Sequence, residues 1–292
     1  MKKSYLLVFL SYLLACLVAW AAILVTSELH ILIRILIADV FATVVIFLFS
    51  VGFKNSSFYD PYWSIVPVFI ALYMIFQNDL TEFIRELLVA IVVGLWGLRL
   101  TANWLYSWKG LGHVDWRYTL LEKKSGRFFW VPVNFFGIHL APTIIVFLAC
   151  VPFYSITVSG MHPINWLDFL AFIVGLASVW IEFQSDKELH RFRAIRSDSS
   201  NILETGTWSW CRHPNYLGEL GFWFSIFLFG VAAGEGLTLL ALSGPIIMLL
   251  LFVFISIPMI EQKLLEDKPG YQKYMSKTFT LLPVSKLFFK TN

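Results

Sequence analysis

The sequence predicts an all-α, polytopic transmembrane helix bundle of about eight spans with both termini in the cytoplasm. Three observations lead there. Of 292 residues, 58% are hydrophobic and only 14% charged, whereas a soluble domain carries about 25% charged residues. The mean hydropathy is +0.73, and apolar runs long enough to cross a bilayer recur along the chain. Basic residues gather between alternate runs, as the positive-inside rule requires. So few charges cannot build a water-facing surface, which argues against a soluble enzyme, a disordered chain or a nucleic-acid binder. Cys16, Cys150 and Cys211 cannot all pair and no Cys/His metal spacing occurs. Neither a disulfide framework nor a metal site is therefore expected.

The spans fall at 4–26, 34–53, 62–77, 86–107, 130–153, 165–185, 215–232 and 237–258. The first opens Met1-Lys2-Lys3 like a signal peptide. It then stays apolar for over twenty residues, with no small-residue cleavage site before Glu28, and is read as a retained helix. The third is short and is expected to be tilted, kinked or partly interfacial. With the N-terminus inside, 19 of the 22 Lys and Arg lie on one side: Lys2, Lys3, Lys54 and those of 108–128, 186–213 and the stretch after 259. Arg34 and Arg85 fall near the opposite face and Arg99 within a span. Three cytoplasmic segments are long while outer connections such as 233–236 are short, so chemistry is expected at the cytoplasmic ends of the later helices. No internal repeat suggests a two-half transporter. Two regions are expected, N-terminal transmembrane helices over 1–57 and a larger membrane domain over 58–292.

Three cytoplasmic motifs carry polar residues in patterned positions. If the sixth helix continues past the membrane, Glu182, Asp186, Leu189 and Arg193 share one stripe at i, i+4, i+7 and i+11. Carboxylates there accept from ribose hydroxyls or an amide and the guanidinium binds phosphate, while the plain alternative is a solvated helix end. In the second motif, Gly206 to Glu219, Pro214 fits the first turn of the seventh helix. Arg212 and His213 flank that N-terminus, where free N–H groups and the dipole favour a diphosphate. Asn215, Glu219 and Trp223 follow at i, i+4 and i+8. A capped helix start with an aromatic belt explains much of this, but not a Glu one turn inside an apolar span. The third motif runs from Glu261 to Tyr274, and Pro269-Gly270 ends a helix before Tyr271 and Tyr274. Those phenols can donate to phosphate and seal a pocket, against the alternative of a solvated amphipathic tail.

Taken together, the Glu-x3-Asp-x2-Leu-x2-Phe-Arg stripe, the Gly-x-Trp-x3-Arg-His-Pro-Asn-Tyr-x-Gly-Glu start and the Glu-x9-Tyr-x2-Tyr tail around Pro269-Gly270 resemble the steroid 5-alpha-reductase-like membrane reductases, specifically their uncharacterised bacterial branch. Asp60-Pro61-Tyr62-Trp63, Leu95-Trp96-Gly97-Leu98-Arg99-Leu100 and Asp115-Trp116-Arg117-Tyr118 look like that branch too, so the resemblance covers about 58–283. It implies an inner-membrane oxidoreductase that holds NADPH from the cytoplasm and takes a hydrophobic, lipid-like substrate from the bilayer. The matching cofactor positions are Asp186, Arg193, Asn215, Glu219 and Trp223, with Arg212, His213, Tyr271 and Tyr274 as neighbours. The family's substrate-polarising Glu, shortly before a Pro, matches Asp60, with Pro67 downstream. Its catalytic Tyr falls near Trp96, which cannot replace a phenol as proton donor, so the acid is expected to be Asp60, kept neutral by burial, or else Tyr62 or Tyr118. The implied reaction is reduction of an enone-type C=C bond. The nearest rival is an S-adenosylmethionine-dependent methyltransferase of the isoprenylcysteine or phospholipid type, which carries a similar Arg-His-Pro-x-Tyr-x-Gly element. A non-catalytic transporter or sensor is the other, resting on Arg99 and His139, although a lone His in an aromatic-rich span is more often structural.

Overall fold

A computed structural model describes residues 2–77, 83–157, 162–234 and 239–283. Among the described residues the regular structure is helical, without a β-strand. Seven helical stretches are long and apolar enough to cross a membrane: Lys2–Val25, Ile31–Gly52, Ser56–Phe76, Trp116–Thr157, Trp166–Ile195, Pro214–Ala232 and Leu242–Asp267. The protein is an integral membrane protein. These seven match all the expected spans but the fourth. That position is a helix, Phe83–Ser107, carrying Arg85, Glu86 and Arg99, and it is not among the seven. Residue 237, where the last span was expected to start, part of the connection 233–236, and the tail lysines Lys286 and Lys290 lie outside the described residues.

The chain forms two compact units, residues 1–81 with 96–159, and 82–95 with 160–292. In the first, α1 (Lys2–Val25) packs on α2 (Ile31–Gly52). Val8, Ala15, Ala42, Val45 and Ile46 form a core with Phe58, Tyr59, Tyr62 and Trp108. The opposite side of α1 presents Leu6, Phe9, Leu13, Leu17 and Leu24 outward, as a helix in contact with lipid does. After α2, Asn55 starts a 3-10 turn, Ser56–Phe58, by accepting from Ser57 N. Its amide also donates to the carbonyls of Leu111 and His113 at 2.9 and 3.2 Å. That one side chain ties the approach to α3 (Tyr62–Phe76) to the loop before α5 (Trp116–Val133). Between them comes α4 (Phe83–Ser107), whose residues from Trp96 onward belong to this unit. The expected span 130–153 is part of a longer helical run. It is broken at Gly126, whose φ is 70°, and widened into a π-turn at Asn134–Leu140 before α6 (Ala141–Cys150) and α7 (Pro152–Thr157). Helices bend at such points because the regular bond ladder is interrupted there.

In the second unit, α8 (Trp166–Ile195) and α9 (Pro214–Ala232) form the main pair. A capping box starts α8: Asn165 accepts from the first turn and Asp168 reaches back to the Asn165 N–H. Its thirty residues span about 45 Å, so the helix does continue past residue 185. The two helices touch through small residues. A Cβ on Gly218 would strike Glu182 Cγ and come within 2.8 Å of the Ser178 carbonyl oxygen, and one on Gly221 would strike Ser178 Oγ. Close backbone approach of this kind is how helices gain contact where no hydrophobic effect drives them together. The unit also holds α10 (Leu239–Leu251), a π-turn at Phe252–Ser256, α11 (Ile257–Asp267) and α12 (Tyr271–Lys277). Arg85, from the part of α4 in this unit, is fully buried. It holds both oxygens of Asp168 at 2.7 and 2.9 Å and donates to the carbonyls of His162, Pro163 and Ala232. One guanidinium thus satisfies the C-terminal end of α9 and the N-terminal end of α8.

Candidate functional site

The first unit contains a carboxyl–phenol pair. Asp60 follows the turn Ser56–Phe58 and precedes Pro61, and its N–H donates to the Ser57 carbonyl. Asp115 caps α5 by accepting from Arg117 N at 2.8 Å, and its own N–H donates to Ser57 Oγ at 3.2 Å. This places Tyr118, in the first turn of α5, over Asp60: the phenol donates to Asp60 Oδ1 at 2.6 Å. The Arg117 guanidinium lies 5.9 Å from the Tyr118 ring centre and grips both Asp115 oxygens at 2.8 and 3.0 Å. Burial pushes the Asp115 carboxyl up, but those bonds outweigh it and hold the group below the usual carboxylate range.

Tyr62 is directed elsewhere. Its hydroxyl donates at 2.6 Å to Oδ1 of Asp39, a buried acid on α2. Sequence reasoning passed over Asp39, although an acid within the second apolar run was itself a signal. Trp96 is buried. His139 is held structurally: Nδ1 donates to the Asn134 carbonyl, Nε2 sits 2.9 Å from Ser50 Oγ, and the ring lies against Tyr59.

The second unit gathers the three polar motifs around Glu182, Arg212 and Glu261. Along α8, Glu182 is buried, Asp186 half-buried and Arg193 exposed, so the stripe runs from interior to surface. Glu188 of the same motif anchors the following loop. Its Oε2 accepts from Thr207 N and Oγ1 at 2.8 and 2.7 Å, and Gly206, with φ 63°, sits against its carboxylate. A side chain at 206 would meet both a left-handed backbone and that carboxylate. The Trp208 indole donates to the Ser185 carbonyl at 3.1 Å, which completes the attachment to α8.

Arg212 and His213 converge on Glu261 Oε1 at 2.7 and 3.0 Å. Arg212 also donates to the Thr278 and Met275 carbonyls and to Thr280 Oγ1. The guanidinium is therefore largely committed to joining α9, α11 and the segment after α12. The His213 ring stacks on Tyr216, which stacks on Phe252 at 4.5 Å. Tyr274 spends its proton on the carbonyls of Trp208 and Cys211. The neighbouring Tyr271 hydroxyl is buried, and among the described residues its own proton has no acceptor. Burial, and then the Glu261 charge, push the Tyr271 phenol up. Burial likewise pushes the Cys211 thiol up to about 11, which leaves it protonated and a poor nucleophile.

On α9, Asn215 and Glu219 are half-buried and Trp223 is buried. The Trp223 indole donates to Glu219 Oε1 at 2.9 Å, fixing that carboxylate one turn into the helix. Past the end of α8, Lys268 is drawn below its usual range by burial and then by the like charges of Arg196 and Arg193, with Asp267 and Asp198 opposing. The three cations form a positive cluster. Among the described residues no group of three or more His, Cys, Asp or Glu is placed to hold a metal.

A family model described as "Protein of unknown function (DUF1295)" matches residues 46–278. The chain is 26% identical over 264 residues to an uncharacterised protein of Schizosaccharomyces pombe, covering 80% of this chain and 74% of that one. No solved structure matches.

Proposed function

The chain belongs to the DUF1295 family, and we propose that it is an integral-membrane, NADPH-dependent oxidoreductase that reduces an enone-type C=C bond of a steroid-like or other lipid substrate. The observation that carries this reading is the 2.6 Å bond between Tyr118 and Asp60. A phenol and a carboxyl sharing a proton in a protein with an apolar exterior are suited to polarise a carbonyl oxygen.

The second unit's donor set fits a dinucleotide. Asn215 and Glu219 offer an amide and a carboxylate for amide or ribose groups, with Glu182 and Asp186 as further acceptors and Trp223 beneath. The positive cluster that includes Arg193 fits phosphate, and Tyr271 brings a hydroxyl still able to donate. Arg212, His213 and Tyr274 act on this site by holding its walls, through Glu261 and the carbonyls of Trp208 and Cys211.

NADPH, if held by Asp186, Arg193, Asn215 and Glu219, would supply the hydride for such a reduction. The Tyr118–Asp60 pair donates to the carbonyl oxygen as negative charge develops there. It then gives up one proton, which ends on the α-carbon, and Arg117 stabilises the anionic pair left behind. The pocket is assigned to the cytoplasmic side, where the basic residues collect.

NADPH binding to the purified protein tests the reading. Glu219→Ala and Arg193→Ala are each expected to weaken it by about tenfold, the loss of one charge-assisted bond. Unchanged affinity in both variants removes the cofactor assignment. Stabilisation against heating by S-adenosylmethionine and not by NADPH would favour a methyltransferase instead.

A further inference from the structure

The segment that leads into the longest membrane run of the first unit carries cations that nothing in the protein neutralises. That run, Trp116–Thr157, holds 42 residues, whereas about 20 cross a bilayer core, so part of it stays outside the hydrocarbon. The charges mark which part. Arg117, Glu122, Lys123, Lys124 and Arg127 crowd into 116–127, and no Asp, Glu, Lys or Arg follows from 128 to 157. The membrane boundary therefore falls between Arg127 and Phe128. Gly126, just before it, breaks the helix with a φ of 70°. A Cβ there would meet nothing within 4 Å, so glycine serves the backbone conformation and not the space. The break lets the helix from Trp116 to Ser125 lie at the membrane surface before the chain turns into the bilayer.

None of the residues of α5 is buried. By helical geometry Lys123 and Lys124 flank Trp116 and Leu120 on one face, and Glu122 points away from it. Lys123, Lys124 and Arg127 are exposed, and among the described residues none of the three has an ion-pair partner. Phe128 is 86% exposed and Phe129 59%, their rings edge to face at 5.0 Å. At the boundary, such rings lie among the upper acyl chains while the neighbouring cations reach the headgroups. Unpaired cations beside bare aromatic rings match a phospholipid of net negative charge, phosphate against the cations and chains against the rings. A soluble acidic partner accounts for the cations and leaves the rings in water.

We propose that Lys123, Lys124 and Arg127, with Phe128 and Phe129 beside them, form a docking surface for anionic phospholipid headgroups of the surrounding bilayer. This surface holds the far end of the helix whose first turn brings Tyr118 to Asp60. It requires nothing of the cofactor reading above.

Native mass spectrometry of the full-length protein, released from detergent with added lipid, tests the surface. Each cation near an anionic headgroup contributes about fivefold in affinity. Wild type should therefore prefer phosphatidylglycerol over phosphatidylcholine of the same chains by about tenfold or more. Lys123→Gln/Lys124→Gln/Arg127→Gln should weaken phosphatidylglycerol by about 100-fold and abolish the preference, and Lys124→Gln alone should weaken it by about fivefold. Lys263→Gln/Lys273→Gln/Lys277→Gln removes the same charge from α11 and α12 and should leave the preference intact. Phe128→Ser should weaken both lipids alike. Glycerol 3-phosphate, which has the phosphate and lacks the chains, should not displace the lipid. The replaced side chains are exposed, and thermal unfolding in detergent should show each variant as stable as wild type. Equal affinity of wild type for the two lipids, a preference unchanged in the variants at 123, 124 and 127, or an equal loss in the α11 and α12 variant overturns the proposal. Displacement by glycerol 3-phosphate overturns it too, in favour of a site for a free anion.

Discussion

In the first unit, Asp39 and Asp60 are each held by a phenol at 2.6 Å. In the second, Asp168 and Glu261 are each held by a guanidinium at 2.7 Å. The distances are alike and the chemistry is opposite. A guanidinium cannot give up its proton at any working pH, so its pair with a carboxylate serves as a fixed clamp. A phenol and a carboxyl can exchange which of them holds a proton, so the pair can act on a substrate. Asp115 with Arg117 is the exception in the first unit. It sits at the start of α5, where it does the capping that sets Tyr118 in place.

The comparison predicts where a substitution will unfold the protein and where it will only silence it. The largest effect is expected at Arg85. Replacement by Ala takes the guanidinium from the buried Asp168 carboxylate and the one side-chain donor from the His162 carbonyl, while the Pro163 and Ala232 carbonyls keep Asn165 Nδ2, and should destabilise by about 3–5 kcal/mol. Thermal unfolding in detergent would show this, and joint replacement of Arg85 and Asp168 by apolar residues should recover much of the loss. Tyr118→Phe should do the reverse. Stability should change by about 1 kcal/mol while reductase turnover falls by about 100-fold. A variant that instead unfolds would place the Asp60 pair with the clamps.

Gly218→Ala sharpens the second unit's side of the contrast. The added methyl collides with Glu182 Cγ and the Ser178 carbonyl, and α8 and α9 must separate. A loss of about 1–3 kcal/mol is expected, together with weakened NADPH binding, because the Glu182 stripe moves with the helix.

The smallest effect belongs to Asp115. Its folded value is depressed, so its contribution is complete above the unfolded value of about 4 and disappears as pH falls through the folded value. The pair is partly exposed, at 39% and 24% for the two side chains, and should contribute about 0.5 kcal/mol. Asp115→Asn should flatten that acid-side slope in denaturation curves recorded between neutral pH and pH 3.

Much of this was legible in the chain itself. Pro214 marks the start of α9 and Pro269-Gly270 separates α11 from α12, as the local rules require. The continuation of α8 past residue 185 follows from an unbroken helical pattern with charges placed on one stripe. Arg212 and Tyr274 show the limit. Both residue types suit a phosphate, and both sit where one was expected, yet their donors are largely taken by Glu261, Thr280 and backbone carbonyls from distant parts of the sequence. Satisfaction of buried donors depends on which carbonyls the fold leaves open, and spacing carries no information about that. The choice between Tyr62 and Tyr118 was open for the same reason, since Tyr62 is near Asp60 in sequence and Tyr118 lies in a separate motif, yet it is the Tyr118 hydroxyl that bonds Asp60 while that of Tyr62 bonds Asp39.

Composition and the placement of a few charges by themselves determined that the chain is a helical membrane protein, because apolar length and charge asymmetry act locally along a helix that must satisfy its own backbone. Tertiary structure alone decided which acids meet phenols and which meet guanidinium groups. Those pairings join residues as far apart as Arg85 and Asp168 or Asp60 and Tyr118, and they are fixed by how the helices pack within each unit.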